Sequence, residues 1–330
     1  MDENRHVFSD GTLERHQDTI RVRTDDGETK PVPIENTNAV FLHGQINYNT
    51  RVVSFLNDHG VAAHVFGWND KYVGSILPER GQTSGQTVVE QVRAYDDPNH
   101  RRRLAAAFVR GSIHNMRRNV AYYDNRGRDL SDALDGLDDA AASLDATADI
   151  ETIMGHEATA RRAYYGSFDA ILRDGWGFES REYNPPPNAV NSLLSYGNSL
   201  VYTSCISAIR KTALDPTVSY LHEPGERRFS LAYDIADLFK PVISDRVTFR
   251  LLNQRQLSSD DFREDVGAVL LTDDGRETYT RAFEDTLART KDHEKLGRSV
   301  SYQYLLQIEA YKLKKHLLTG ENYDPFERWW

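Results

Sequence analysis

The apolar residues change their period along the chain. Over the first 77 residues they come in short runs or alternate with polar ones, as in VFSD, TLERH, TIRVRTDD, TKPVPI, NAVFLHG, VAAHVFGW and YVGSIL. That is the pattern of short, half-buried strands. Asp10-Gly11, Asp25-Asp26-Gly27 and Trp68-Asn69-Asp70 separate them as turns. Asn47 to His59 carries Val52, Val53, Phe55 and Leu56 and ends toward Gly60, which predicts one helix. The polar segment PERGQTSGQ, residues 78–86, reads as a linker. Beyond it the period becomes helical, with helices expected over 87–96, 99–119, 130–144, 151–174, 188–213, 230–253, 259–267, 276–290 and 298–318. The chain is therefore expected to be α+β with two domains: a small β-rich domain with one helix over 1–77 and a larger all-helical domain over 87–330.

Composition narrows the class. A length of 330 residues suits two domains, and 39% hydrophobic residues are enough for a packed core. No run approaches the roughly 18 apolar residues of a membrane span, and the start, MDENRHVFSDG, has no apolar stretch of a secretory signal. The single cysteine, Cys205, falls on the apolar stripe of the 188–213 helix with Leu194, Gly197, Val201 and Ala208. It reads as a core thiol, and a lone cysteine forms no internal disulfide or thiolate cage. A cytoplasmic protein is expected.

A net charge of −10 argues against a nucleic-acid partner, but the charge is segregated. Residues 99–128 hold Arg101, Arg102, Arg103, Arg110, Arg117, Arg118, Arg126 and Arg128 against the single acid Asp124. Residues 129–151 then hold eight acids and no base. Arginine binds phosphate bidentately, so the basic run is a candidate phosphate footprint; a solvated helical face explains it equally well.

Candidate chemistry comes from carboxylates in apolar surroundings. In ETIMGHEATARRAYYGSFDAIL, Glu157 falls within the stripe of Ile153, Ala160, Tyr164, Phe168 and Ile171. A carboxylate there must be paired, protonated or bound to a metal, and Arg161, one turn on, is the simple partner. In LHEPGERRFSLAYDIADLFKP, Asp234 and Asp237 share a helix flank at a spacing where two unpaired charges repel, with His222 on the preceding loop. Two carboxylates and an imidazole suit Mg²⁺ or Mn²⁺, and beside an arginine cluster they point to phosphoryl transfer on nucleic acid. His156-Glu157 lacks the second histidine of the zincin motif, and no Walker loop, G-x-G-x-x-G or G-x-S-x-G occurs.

IMGHEATARRAYY, YNPPPNAVNSLL and LDPTVSYLHEPGERRFSLAYDIADLFKPVISDRV, in this order behind FLHGQINYNTRVVSFLNDHGVAAHVFGWNDKYVGSILPE and before a closing YDPFERWW, resemble the Cas1 family of CRISPR adaptation integrases over nearly the whole chain. The resemblance implies that Glu157, His222 and Asp237 coordinate the metal, that Asp234 is an additional acid beside it, and that Tyr183 and Tyr202 lie near the active site. Arg101, Arg102, Arg103, Arg110, Arg117, Arg118, Arg161, Arg227 and Arg228 are then candidates for DNA contact. One departure lies in RLAAAFVRGSIHN, where Ser112 stands in the region in which the family usually has a lysine. The family's chemistry is attack of a DNA 3′-hydroxyl on a phosphodiester of the CRISPR repeat. It implies double-stranded DNA (prespacer and repeat), a homodimer and the small protein Cas2 as partners, with the N-terminal domain serving dimerisation and partner contacts and the helical domain catalysis and DNA binding. A structure-specific repair nuclease and a non-catalytic DNA-binding scaffold of the same fold are the competing readings.

Overall fold

The computed structural model describes residues 3–79, 84–173, 175–183, 185–225, 229–265 and 267–330, so part of the 78–86 stretch, together with Arg227 and Arg228, lies outside the described residues. The chain divides into two compact units, Met1–Gln82 and Thr83–Trp330.

The first unit runs β1 (Glu3–Val7), β2 (Gly11–His16), β3 (Thr19–Arg23), β4 (Thr29–Val32), β5 (Thr37–Leu42), β6 (Ile46–Tyr48), α1 (Thr50–Asp58), β7 (Ala62–Phe66) and β8 (Tyr72–Ile76). Two four-stranded sheets result, ordered β1-β5-β7-β8 and β4-β3-β2-β6. The alternation along each strand separates two faces. Leu13, Ile20, Val22, Val40, Leu42 and Ala63 turn inward and pack with Val52, Phe55 and Leu56 of α1. Asn49 caps α1, its side-chain oxygen accepting from the backbone of Arg51 and Val52. Gly11 has φ of 144°, and a Cβ there would stand 2.3 Å from the Arg23 carbonyl oxygen, so only glycine fits between β2 and β3.

The second unit is helical: α2 (Gly85–Asp96), α3 (Pro98–Asp124), α4 (Ser131–Ala142), α5 (Ile150–Gly166), α6 (Phe168–Ile171), α7 (Ala189–Arg210), α8 (Ser230–Phe239), α9 (Ser244–Asn253), α10 (Asp273–Ala288) and α11 (Tyr302–Thr319). Two antiparallel hairpins interrupt the helices, β9 (Phe262–Asp265) with β10 (Ala268–Leu271) and β11 (Thr290–His293) with β12 (Arg298–Ser301). Three expectations change here. The helix expected over 259–267 is one 3₁₀ turn, Ser259–Asp261, followed by β9, because Gly267 at φ of 77° turns the chain back into β10. The helix expected from 298 begins only at Tyr302, after the β12 strand.

The single helix expected over 230–253 is two, α8 and α9, because Pro241 has no N–H to return to the Asp237 carbonyl. That carbonyl instead accepts from Ser112 Oγ at 3.1 Å, and the next one, of Leu238, accepts from Asn115 Nδ2 at 2.8 Å. Two buried polar residues of α3 thus cap the C-terminal end of α8, and Ser112 gains a structural reason for standing where it does. No described helix is long and apolar enough to cross a membrane.

Candidate active site

Three segments meet around Asp237: α5, α8 and the loop that carries His222. On α5, Ile153, Ala160 and Tyr164 face the core, with Asp149 capping the helix start. Glu157, with its side chain 14% exposed, forms an ion pair with Arg161 one turn on. The Arg161 guanidinium reaches beyond Glu157 to α8, where Nη2 lies 2.9 Å from Asp237 Oδ1. Lys240 Nζ lies 2.6 Å from the same oxygen. The other oxygen, Oδ2, is 3.8 Å from His222 Nε2. Burial works against charge on Asp237, but Arg161, Lys240 and His222 outweigh it and hold its carboxyl well below the usual range.

Asp234, one turn before Asp237, is fully buried and does a different task. Its carboxylate accepts the backbone N–H of Tyr220 at 2.8 Å, of Leu221 at 3.1 Å and of His222 at 3.0 Å. It also pairs with His222 Nδ1 at 2.8 Å. A carboxylate only accepts, so Nδ1 carries a proton and Nε2 is the ring nitrogen left toward Asp237. Burial depresses protonation of His222, but the Asp234 bond and the charges of Asp237 and Asp234 prevail and raise its pKa above the ordinary value. The repulsion expected between the two acids is thus met by separate counter-groups: three backbone N–H groups and an imidazole for Asp234, Arg161 and Lys240 for Asp237.

Among the described residues, no three His, Cys, Asp or Glu side chains stand around one point at ligand distance. The cause is visible: Arg161 bridges Glu157 and Asp237. The donor chemistry of Glu157, His222 and Asp237, two carboxylates and one imidazole, still fits a hard divalent ion. They also form one continuous run of contacts, Glu157–Arg161–Asp237–His222.

The basic run of α3 is less uniform than its sequence suggests. Arg101 donates from Nε to the Tyr220 carbonyl at 3.0 Å and from Nη2 to Glu223 at 2.6 Å, so it braces the loop that carries His222. Arg102 bonds the Thr147 carbonyl at 3.0 Å, and Arg103 and Arg118 are exposed. Arg110 lies 3.6 Å from Glu327. Arg117 makes a bidentate pair with Asp138 of α4, at 2.5 and 2.9 Å, so the acidic run neutralises part of the basic one. Tyr202 is buried, its ring stacked on Tyr233 at 4.4 Å and its hydroxyl accepting the Phe229 N–H at 3.2 Å. Tyr183 is 58% exposed, with the Arg181 guanidinium over its ring.

Two residues of the site escaped the sequence reading. Lys240 sits three residues after Asp237, a helical spacing that could have marked it as the acid's partner. Tyr233 lies between Tyr202 and the His222 ring, which is 5.7 Å away; nothing in its local sequence sets it apart.

A two-domain chain of this kind, β-rich unit first and helical unit second, has the fold of the Cas1 and casposase structures. It superposes on a Cas1 protein from Thermotoga maritima with a TM-score of 0.85 and 33% identity, covering 98% of this chain and 100% of that one. A casposase bound to integration product, at 20% identity, shares the fold with a TM-score of 0.86 over 98% of this chain and 92% of its own. In sequence, the CRISPR-associated endonuclease Cas1 of Haloferax volcanii is 50% identical over 327 residues, 99% of each chain. The family model described as CRISPR associated protein Cas1 matches residues 6–285. The chain belongs to the Cas1 family, whose enzymes are endonucleases of CRISPR systems.

Proposed function

We propose that the chain joins captured DNA fragments into a CRISPR array by attack of a fragment 3′-hydroxyl on a repeat phosphodiester, with Glu157, His222 and Asp237 as the reaction centre. The observation that carries this is the convergence of α5, α8 and the 219–223 loop on Asp237 by way of Arg161, Lys240 and His222. Nucleases of this kind generally work with a divalent cation; Glu157, His222 and Asp237 would hold Mg²⁺ or Mn²⁺, and the bound ion would neutralise charge developing at the scissile phosphate. Asp234 fixes the tautomer and aim of His222. Arg161 and Lys240 keep positive charge at the carboxylates and, with an ion held by Glu157 and Asp237, would be free to pair with phosphate oxygens. Arg101, through Glu223 and the Tyr220 carbonyl, positions the His222 loop, while Arg102, Arg103, Arg110, Arg117 and Arg118 offer cationic charge along α3 to double-stranded DNA, and Arg227 and Arg228 are further candidates in the same loop sequence. Tyr202 supports His222 through Tyr233, and Tyr183 is exposed enough to meet DNA.

A homodimer, with Cas2 as the small partner bridging two copies, supplies the two centres that integration of both fragment ends needs; contacts of this sort fall to the N-terminal unit, and the reaction belongs in the cytoplasm, where the array lies. The experiment is strand transfer of a labelled fragment into a repeat-bearing plasmid. His222→Ala is expected to abolish joining while unfolding at the wild-type midpoint; undiminished joining in that variant refutes the assignment, and nicking of branched DNA without joining assigns the chain to repair.

A further inference from the structure

The helical unit holds a second site of opposite character. A cavity of about 690 Å³ opens between the end of α3, α9, α10 and Tyr302. It shares no residue with the Glu157–Asp237 centre. Five arginines line it: Arg126, Arg246, Arg250, Arg281 and Arg289. Asp285 is the one carboxylate among the described lining residues, and none of the five arginines makes an ion pair with a described residue.

This arrangement is costly as it stands. Arg246 Nη1 and Arg250 Nε are buried with no hydrogen-bond partner among the described residues, and unpaired buried donors are destabilising. Arg328, only 6% exposed, does not line the cavity but lies close enough to feel the Arg246 charge, and has two more such donors, Nε and Nη1. Burial first, then the Arg246 charge, pushes its pKa down to about 10; burial and the Arg289 charge likewise lower that of Arg250. The cationic charge here is therefore crowded, with five arginines against one carboxylate, Asp285, among the described lining residues. Two features orient it. The Tyr122 ring has the Arg126 guanidinium at 3.9 Å and that of Arg246 at 5.0 Å, which fixes both forks by cation–π contact. The Arg250 Nη2 bond to the Ala282 carbonyl, 2.9 Å, sets a third.

A ligand that satisfies several guanidinium forks at once carries clustered anionic oxygens in a tetrahedral array, which is phosphate. The volume lies in the range of sites for nucleotide-sized ligands. Beyond the end of α9, Arg128, Arg173 and Arg255 line a smaller cavity of about 250 Å³ with Trp176, a second arginine-lined hollow that also offers an aromatic face.

We propose that the arginine cavity of α3, α9 and α10 binds the phosphates of a nucleotide ligand, separately from the acid–imidazole centre. Arg246 and Arg250 make the inner contacts; Arg126, Arg281 and Arg289 make the outer ones. The assignment does not depend on the integrase reading, because it needs neither a divalent ion nor His222. Two sources supply this chemistry, a DNA strand and a free nucleotide.

The test is equilibrium binding to the full chain in EDTA, with a fluorescent single-stranded oligothymidylate as one probe and ATP as the other. The double variant R246A/R281A is expected to weaken strand binding about tenfold or more and to lower the salt slope by about 1.4, the release expected for two single-strand phosphate contacts. Loss confined to the oligothymidylate identifies a strand; a parallel loss for ATP identifies free nucleotides. His222→Ala is expected to bind both probes as the wild type does. R281A alone, at an exposed position, keeps the test usable if the double variant does not fold, and is expected to lower the slope by about half as much. Wild-type affinity and salt slope in R246A/R281A and R281A overturn the proposal, as does failure of the wild type to bind either probe.

Discussion

Asp234 is the residue through which the structure makes its sharpest demand. Replacing it by alanine leaves three backbone N–H groups and one imidazole N–H without their acceptor. Tyr220 and Leu221 are buried, at 0% and 2% exposure, so water does not replace the lost acceptor for them. At about 1–3 kcal/mol for each stranded buried donor, and less for the half-open His222, the change costs about 3–5 kcal/mol. That is a large part of a typical domain's stability. Asparagine is milder: its oxygen still accepts two of the N–H groups, but its amide turns a donor toward a donor, and a cost of about 1–3 kcal/mol follows. It also releases His222 from its fixed tautomer, which is expected to lower strand transfer about 10–100-fold. Denaturant unfolding of Asp234→Ala, Asp234→Asn and His222→Ala, each paired with the strand-transfer assay, separates these effects. His222→Ala should lose activity with little loss of stability, Asp234→Ala should lose both, and Asp234→Asn should fall between. If Asp234→Ala unfolds at the wild-type midpoint with unchanged slope, the loop is held by something other than this carboxylate and the account of the site fails.

Arg161→Met leaves Glu157 without its partner and removes one of the cations on Asp237, a loss of about 3–5 kcal/mol without metal; Mg²⁺ or Mn²⁺ should then stabilise this variant more than the wild type in unfolding experiments, and equal stabilisation of both would argue against Arg161 holding the acids in place of an ion. Asp245, raised to about 7 chiefly by burial against the opposing Tyr164 hydrogen bond, binds a proton in the folded state that it loses near 3.8 when unfolded. Stability therefore falls as pH rises from about 4 to 7, by up to ~1.4 kcal/mol per unit, and Asp245→Asn is expected to flatten that slope; an unaltered pH profile rejects it. Gly197→Ala places a Cβ 2.0 Å from the Tyr279 hydroxyl and 2.5 Å from Ser244 Oγ, where α7 meets α9 and α10, and is expected to cost about 2–3 kcal/mol; wild-type thermal stability would show that the Tyr279 ring yields. Substituting Arg101, Arg102 and Arg103 together should weaken duplex DNA binding and make it less salt-dependent, whereas an unchanged salt slope returns them to a role in bracing the His222 loop and the α3 surface.

Much of this protein is written in local periodicity. The strands of the first unit and the long helices α3, α5 and α7 follow from where apolar residues recur, because one buried face suffices to fix each element. Glu157 was also visible, since charge in an apolar stripe is unusual wherever the chain goes, while Asp234 and Asp237 were marked by their spacing on one helix flank and His222 by its place on the loop before them. What local pattern does not carry is which charge faces which. Asp234 and Asp237 look alike in sequence, yet one is enclosed by backbone donors of a loop 12 to 14 residues earlier and the other by Arg161, 76 residues away. Likewise the Pro241 break became clear only with Ser112 and Asn115 in place to donate to the freed carbonyls, and the short β9–β10 hairpin depends on the turn at Gly267. Nothing in the local sequence singles out the arginines of α9 and α10; the fold gathers them around one cavity in which Asp285 is the one carboxylate among the described lining residues. Sequence sets each element by its own burial; electrostatic partnership acts through space between elements, and so is settled only when they pack.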